Sequence, residues 1–166
     1  MIILLNELEK APHQTLSLDN QIDMSTVRYQ DVAAFEDFYF KGQVSKEAVL
    51  VVTEGIITGL LKVKCSKCLV PTEYPLEIDF NEQFAEGPVD EEGDIHSFHG
   101  GKIDLTPYFH ESIFLELPQV FNCGEDCKGL CPTCGVNRNV EPCGCVNERI
   151  DPRLADLALF FEKDQK

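Results

Sequence analysis

Cys123-Gly-Glu-Asp-Cys127-Lys-Gly-Leu-Cys131-Pro-Thr-Cys134-Gly-Val-Asn-Arg-Asn-Val-Glu-Pro-Cys143-Gly-Cys145 is the stretch whose spacing governs how the chain is read. It holds six of the eight cysteines, as Cys-x3-Cys, Cys-x2-Cys and Cys-x-Cys. The other two, Cys65 and Cys68, form a Cys-x2-Cys pair that ends 55 residues before Cys123. Four close pairs of thiols suit two tetrahedral sites of four sulfurs, because two cysteines a turn apart reach one zinc ion with little chain strain. Cys131, Cys134, Cys143 and Cys145 make a local ribbon of knuckle, short loop and closing pair. Cys65, Cys68, Cys123 and Cys127 remain for a second zinc, which would staple a turn of the body to the start of the ribbon. A different division, with Cys127 in the ribbon and Cys123 outside both sets, satisfies the same spacing. Tetrahedral sulfur also accepts iron, so spacing alone does not separate zinc from an iron–sulfur cluster. Either set is closed, with four protein ligands and no open position, and so predicts structure rather than hydrolysis.

Outward from this segment, the chain has 166 residues, 43% of them hydrophobic, with 11 Phe. That supports one core with a metal-bound appendage and excludes disorder throughout. No apolar run approaches membrane-spanning length. Ile2-Ile3-Leu4-Leu5 is followed at once by Asn6, Glu7 and Glu9 without a basic flank, which does not fit a signal peptide. The expected compartment is the cytoplasm, where paired cysteines stay reduced and read as metal ligands before disulfides.

The body reads as β structure. Phe38 to Val44 alternates with period 2, Glu47 to Thr53 is β-branched and apolar, Ile56 to Lys64 alternates again, and Glu73 to Phe80 points Tyr74, Leu76, Ile78 and Phe80 to one side. Glu54-Gly55 reads as a turn between the second and third of these. Short connections predict antiparallel pairing, and place Cys65-Ser-Lys-Cys68 at the turn joining two strands. Met1 to Leu8 and Thr15 to Asp19 read as further strands, separated by Pro12. From Glu77 to Asp94 there are eight acids and no Lys or Arg. The acid-, Gly- and Pro-rich region near 81–101 reads as a mobile loop. His96 and His99 lie in it at a metal-like spacing, but two full sets of cysteines are already present. Asp104 caps a helix near 104–117, with Pro107 in its first turn and Leu105, Tyr108, Phe109, Ser112, Ile113 and Leu117 on one stripe. His110 and Glu111 fall off the stripe, as an exposed face would. Asp151-Pro152 opens a short last helix with Leu154, Leu157, Ala158 and Phe161 on its apolar side. The expected fold is α+β: residues 1–118 form an antiparallel β-sheet body with a packed helix. Residues 119–166 form a Cys-rich, zinc-ribbon-like segment with a short C-terminal helix.

Formal charge is −15. Eight thiolates (−8) and two zinc ions (+4) would take it to about −19, since bound ions and their ligands belong in the count. Such acidity repels nucleic acid on average and attracts basic partners, and it also serves solubility. Seven of the 14 basic residues, Lys62, Lys64, Lys67, Lys128, Arg138, Arg149 and Arg153, lie near the cysteines. They either neutralise thiolate charge or touch phosphate.

Several segments together resemble the YceD family, the large ribosomal RNA subunit accumulation proteins. They are Leu61–Pro71, Ile103-Asp104-Leu105 with Glu111 and Leu117-Pro118, the Cys-Lys-Gly-Leu-Cys-Pro-x-Cys-Gly core, Cys143-Gly-Cys145, and Asp151-Pro-Arg-Leu-Ala155. The resemblance implies a role in processing or stability of large-subunit rRNA and implies no enzymatic activity. Its members' genes commonly neighbour that of a small basic large-subunit protein. The expected function is therefore a non-catalytic ribosome biogenesis factor that binds a basic ribosomal protein or processing factor. The alternative is direct rRNA binding through the basic residues near the cysteines. An enzyme is disfavoured: no carboxylate cluster pairs with His at useful spacing, and the βαβ context of redox Cys-x2-Cys motifs is missing.

Overall fold

The computed structural model of the chain describes residues 1–88 and 95–145. Period-2 alternation builds three long strands, β3 (Val32–Glu47), β4 (Leu50–Lys64) and β5 (Pro71–Glu86). Phe38, Phe40 and Val44 of β3 point inward, as do Val51, Thr53, Ile57, Leu61 and Val63 of β4 and Leu76, Ile78, Phe80 and Phe84 of β5. With β2 (Thr15–Gln21) and β6 (Ile95–Phe98) they form a five-stranded sheet in the order β2-β3-β4-β5-β6. Neighbours are antiparallel except β6, which runs parallel to β5 and makes the sheet mixed.

Glu54-Gly55 is not a turn. Both residues lie inside β4, and the chain reverses instead at Ala48, whose φ is 54°. Gly55 stands opposite Gly42 on β3 and Phe80 on β5. A Cβ on Gly55 would lie 2.5 Å from the Lys41 carbonyl oxygen, and one on Gly42 would lie 2.2 Å from that of Glu54. Glycine is needed here for close approach of two strands beneath the Phe40 ring, a use that sequence punctuation does not distinguish from a turn.

The apolar opening is a strand only at β1 (Ile2–Leu4), which pairs with β7 (Lys102–Asp104). It then becomes α1 (Leu5–Lys10), whose Leu8 is buried. The expected loop near 81–101 is also shorter at both ends. β5 continues to Glu86 because Phe84 carries on its inward alternation, and β6 begins at Ile95. Asp104 is not the N-cap of α2 (Thr106–Glu116), a position that Leu105 holds without a side-chain cap bond; one residue earlier, the Asp104 carboxylate accepts the Thr106 N–H at 3.0 Å. Leu105, Phe109, Ile113 and Leu117 form the buried stripe. The Phe109 ring lies 4.8 Å from Phe40 and 4.7 Å from Phe80, so the helix covers the inner face of the sheet. The last helix expected from Asp151 lies outside the described residues. Among the described residues, no helix is long and apolar enough to cross a membrane.

The chain divides into two compact units. The sheet, α1 and α2 belong to Met1–Ser66 with Val70–Glu125. The other unit comprises Lys67–Leu69 with Asp126–Lys166.

Candidate metal centres

The eight cysteines collect into two groups of four, Cys65/Cys68/Cys123/Cys127 and Cys131/Cys134/Cys143/Cys145. Within each group the sulfurs lie within 4.8 Å of one another. Four sulfurs at 2.3 Å on a tetrahedral zinc would stand about 3.8 Å apart, so small side-chain movements bring either group onto an ion. Cys127 falls with Cys123 rather than with the ribbon set. All eight are thiols rather than disulfides. The donor set is uniformly soft, which suits zinc or iron and not calcium or magnesium.

The two Cys-x2-Cys segments share one backbone form. The Cys65 N–H donates to the Val70 carbonyl at 2.9 Å, and the Cys131 N–H donates to the Val136 carbonyl at 2.8 Å. The residue after the second cysteine is left-handed in both: Gly135 at φ 74° and Leu69 at φ 60°. Leucine therefore holds a conformation that favours glycine. In the second group, the backbone N–H groups of Cys134 and Thr133 point at the Cys131 sulfur and lower its pKa to about 6. The Cys145 N–H pulls Cys143 down, but the Cys131 thiol, burial and the Cys131 charge leave it raised on balance. Cys145 is pushed up to about 12 by its hydrogen bond to Cys134, by burial and by Cys131. One thiolate is thus welcome and further ones repel. A divalent cation is what allows four to ionise together.

Asn139 and Asn137, which sequence reasoning missed, brace the second unit. Asn139 Oδ1 accepts the Lys128 N–H at 2.8 Å, and Asn139 Nδ2 donates to Cys127 Sγ at 3.4 Å and to Asn137 Oδ1 at 2.9 Å. The signal was the pair of short amides in a tight Cys-rich loop, where Asn readily bonds nearby backbone. Leu130 N–H donates to the Lys67 carbonyl at 2.9 Å, and Arg138 N–H to the Gly129 carbonyl at 3.0 Å. Among the described residues of this unit, only Cys68, Gly129 and Cys131 are buried. Leu69 and Val140 are 57% and 77% exposed. Its described residues have hydrogen bonds and sulfurs but form no apolar core.

The basic residues are divided between the two units. Lys67, Lys128 and Arg138 belong to this second unit and are linked through the backbone bonds around Gly129. Lys62 lies on β4, ion-paired with Glu73 and, at 3.6 Å, with Glu36. Lys64 ends β4 and is exposed. Arg149 and Arg153 lie outside the described residues. His96 belongs to neither cysteine group: its Nε2 is 2.8 Å from Glu82, and its ring lies 4.3 Å from that of Tyr108. Burial, then Glu82, Glu111 and Asp104, push the Tyr108 phenol above its ordinary value. His110 donates to the Asp23 carbonyl at 3.0 Å.

Charge is divided sharply. The sequence of the sheet unit holds 22 acids against 7 bases, which is the whole −15, whereas that of the cysteine unit holds seven of each.

A family model described as "Large ribosomal RNA subunit accumulation protein YceD" matches residues 53–161. An uncharacterized Bacillus subtilis protein, YlbN, is 30% identical over 165 residues, covering 96% of each chain. An uncharacterized Mycobacterium tuberculosis protein is 32% identical over 150 residues, covering 87% of this chain and 70% of its own. A Zea mays protein named large ribosomal RNA subunit accumulation protein YCED homolog 1, chloroplastic, is 26% identical over 125 residues, covering 55% of this chain and 43% of its own. No solved structure gives a significant match.

Proposed function

The chain belongs to the YceD family of large ribosomal RNA subunit accumulation proteins, and from that premise we propose that it is a non-catalytic factor for large-subunit assembly. It acts in the cytoplasm by holding a basic ribosomal protein or rRNA-processing factor. The observation that carries this reading is the confinement of the whole −15 to the sheet unit. That unit repels phosphate and attracts cationic polypeptide. Cys65, Cys68, Cys123 and Cys127 would hold one zinc ion, and Cys131, Cys134, Cys143 and Cys145 another. Zinc bound by four thiolates supplies cross-linking, with no site left for water or substrate. In the cysteine unit it takes the place of an apolar core, which the described residues of that unit do not form, as a zinc-ribbon-like segment requires.

Affinity purification from growing cells, scoring proteins and rRNA precursors together, tests the reading. The expected result is salt-sensitive enrichment of a basic large-subunit protein or processing factor. Failure to enrich any ribosomal component would overturn it.

A second reading rests on Lys67, Lys128 and Arg138, which the backbone bonds around Gly129 link in the cysteine unit. These cations would let that unit touch rRNA phosphates directly. Gel shifts with rRNA fragments at two salt concentrations decide it: phosphate contacts demand weaker binding at the higher salt. Binding that ignores salt, or no binding, rejects this second reading.

A further inference from the structure

The inner face of the sheet is covered by α2, and the outer face carries a groove of about 720 Å³ across β2 to β5. Its floor is the backbone at Gly42 and Gly55, where the side chains of the row point inward or are missing. Resting on the reading that the partner is a basic protein, we propose that this groove is the docking surface for a Lys- and Arg-rich segment of that partner.

Register places the groups. Asp19, Lys41, Ile56 and Asp79 stand in one row across the four strands, and Ser17, Gln43, Glu54 and Asn81 stand in the row on the other side of the floor. Asp19, Glu54 and Asp79 line the groove, with Lys41 the one cation among its lining residues. In the next row Tyr39 pairs with Thr58, and Thr58 with Glu77. Lys62, further along the same face, is already engaged by Glu73 and Glu36. Tyr39 and Ile56 are each 42% exposed. Carboxylates surrounding two exposed apolar side chains complement Lys and Arg, whose aliphatic stems pack on apolar surface while their heads seek anions. Tyr39 also offers a ring face to a cation. An RNA strand brings phosphates to the same carboxylates and is repelled.

The test is an NMR titration of the full-length protein with a short peptide of alternating Arg and Val, beside one with a single-stranded RNA oligonucleotide. The amides of Gly42, Gly55, Ile56 and Asp79 are expected to shift with the peptide and stay still with RNA. E77K with D79K should weaken the peptide roughly tenfold, as two reversed charge pairs imply. E47K with E116K, an equal change in net charge away from the groove, should weaken it far less. Far-UV circular dichroism checks that both variants fold. Equal weakening by the two pairs would overturn the proposal, because net charge alone would then explain binding. Shifts spread over the whole acidic surface, shifts caused by RNA, or no binding would also overturn it. Purification with the E77K/D79K variant separates the two claims. If wild type and variant enrich the same ribosomal component equally, the groove fails and the assembly role stands. If wild type enriches none, the assembly role itself fails.

Discussion

Cys131→Ser removes one ligand of the ribbon group and the most buried sulfur of the cysteine unit, 2% exposed. Zinc in four-thiolate sites contributes about 10–16 kcal/mol of apparent binding energy, so losing roughly a quarter of it lowers affinity about 10²–10³-fold. The described part of this unit buries only Cys68, Gly129 and Cys131, so among the described residues no apolar core holds the segment once the ion leaves. Metal analysis should find two zinc ions per wild-type chain and one per C131S chain after dialysis against a weak chelator. Hydrogen exchange should then speed up at Cys131, Gly135 and Arg138, whose N–H groups donate to Val136, Cys131 and Gly129 in the ordered segment. The sheet amides of β3 to β5 should keep their protection, because that core contains no ribbon cysteine. Two outcomes would refute the reasoning. One is slow exchange at these three amides in fully metal-free protein, which would mean that something else orders the segment. The other is a carefully prepared wild type without zinc.

Three smaller changes probe the fold around the site. Thr53 is fully buried on β4 and its hydroxyl makes no hydrogen bond. Thr53→Val should therefore raise stability by about 1 kcal/mol in urea unfolding, since an unsatisfied buried hydroxyl is removed at nearly constant volume. Leu69→Gly relieves a left-handed leucine that is 57% exposed and so gives up little burial. The strain of about 1–2 kcal/mol, less the entropy cost of glycine, leaves a gain of roughly 0.5–1 kcal/mol, visible as a shifted denaturant midpoint. Asp104 is held below the usual carboxylate range chiefly by its hydrogen bond to Thr106, with the chain's amino terminus assisting. A depressed folded-state value means that this contribution is present above the unfolded value of about 3.9 and is lost as pH falls through the folded value. Asp104→Asn should flatten the acid limb of a stability-versus-pH curve and leave the neutral-to-alkaline part unchanged in slope.

Much of the molecule was legible because its signals are local. Alternation at Phe38–Val44 and Tyr74–Phe80 and the buried stripe of α2 each follow from spacing that one element imposes by itself. Cysteine pairing was legible for the same reason, since a knuckle is a short-range object. What sequence reading lost was non-local. The parallel addition of β6 to β5 depends on where the chain returns after residue 94. The engagement of Lys62 by Glu73 depends on cross-strand register, which no local spacing reveals. Asn139 looked like one more loop residue until its amide was seen bonding both the Lys128 N–H and the Cys127 sulfur.

The misread glycine shows why these losses bear on function. Gly55 suggested a turn because glycine is the commonest punctuation between apolar runs. In the fold it faces Gly42, and both must lack a side chain because backbone and the Phe40 ring fill the space a Cβ would need. The outer face gains its groove over the same pair of residues, between the carboxylates of Glu54 and Asp79. A bulkier residue at either position would force the strands apart beneath Phe40 and deform the groove floor from behind. The requirement for core packing and the proposed recognition surface are therefore two sides of one stretch of backbone. Selection acting on the groove floor must act through glycines that the core already constrains, whereas the exposed carboxylates beside it can change without disturbing the core.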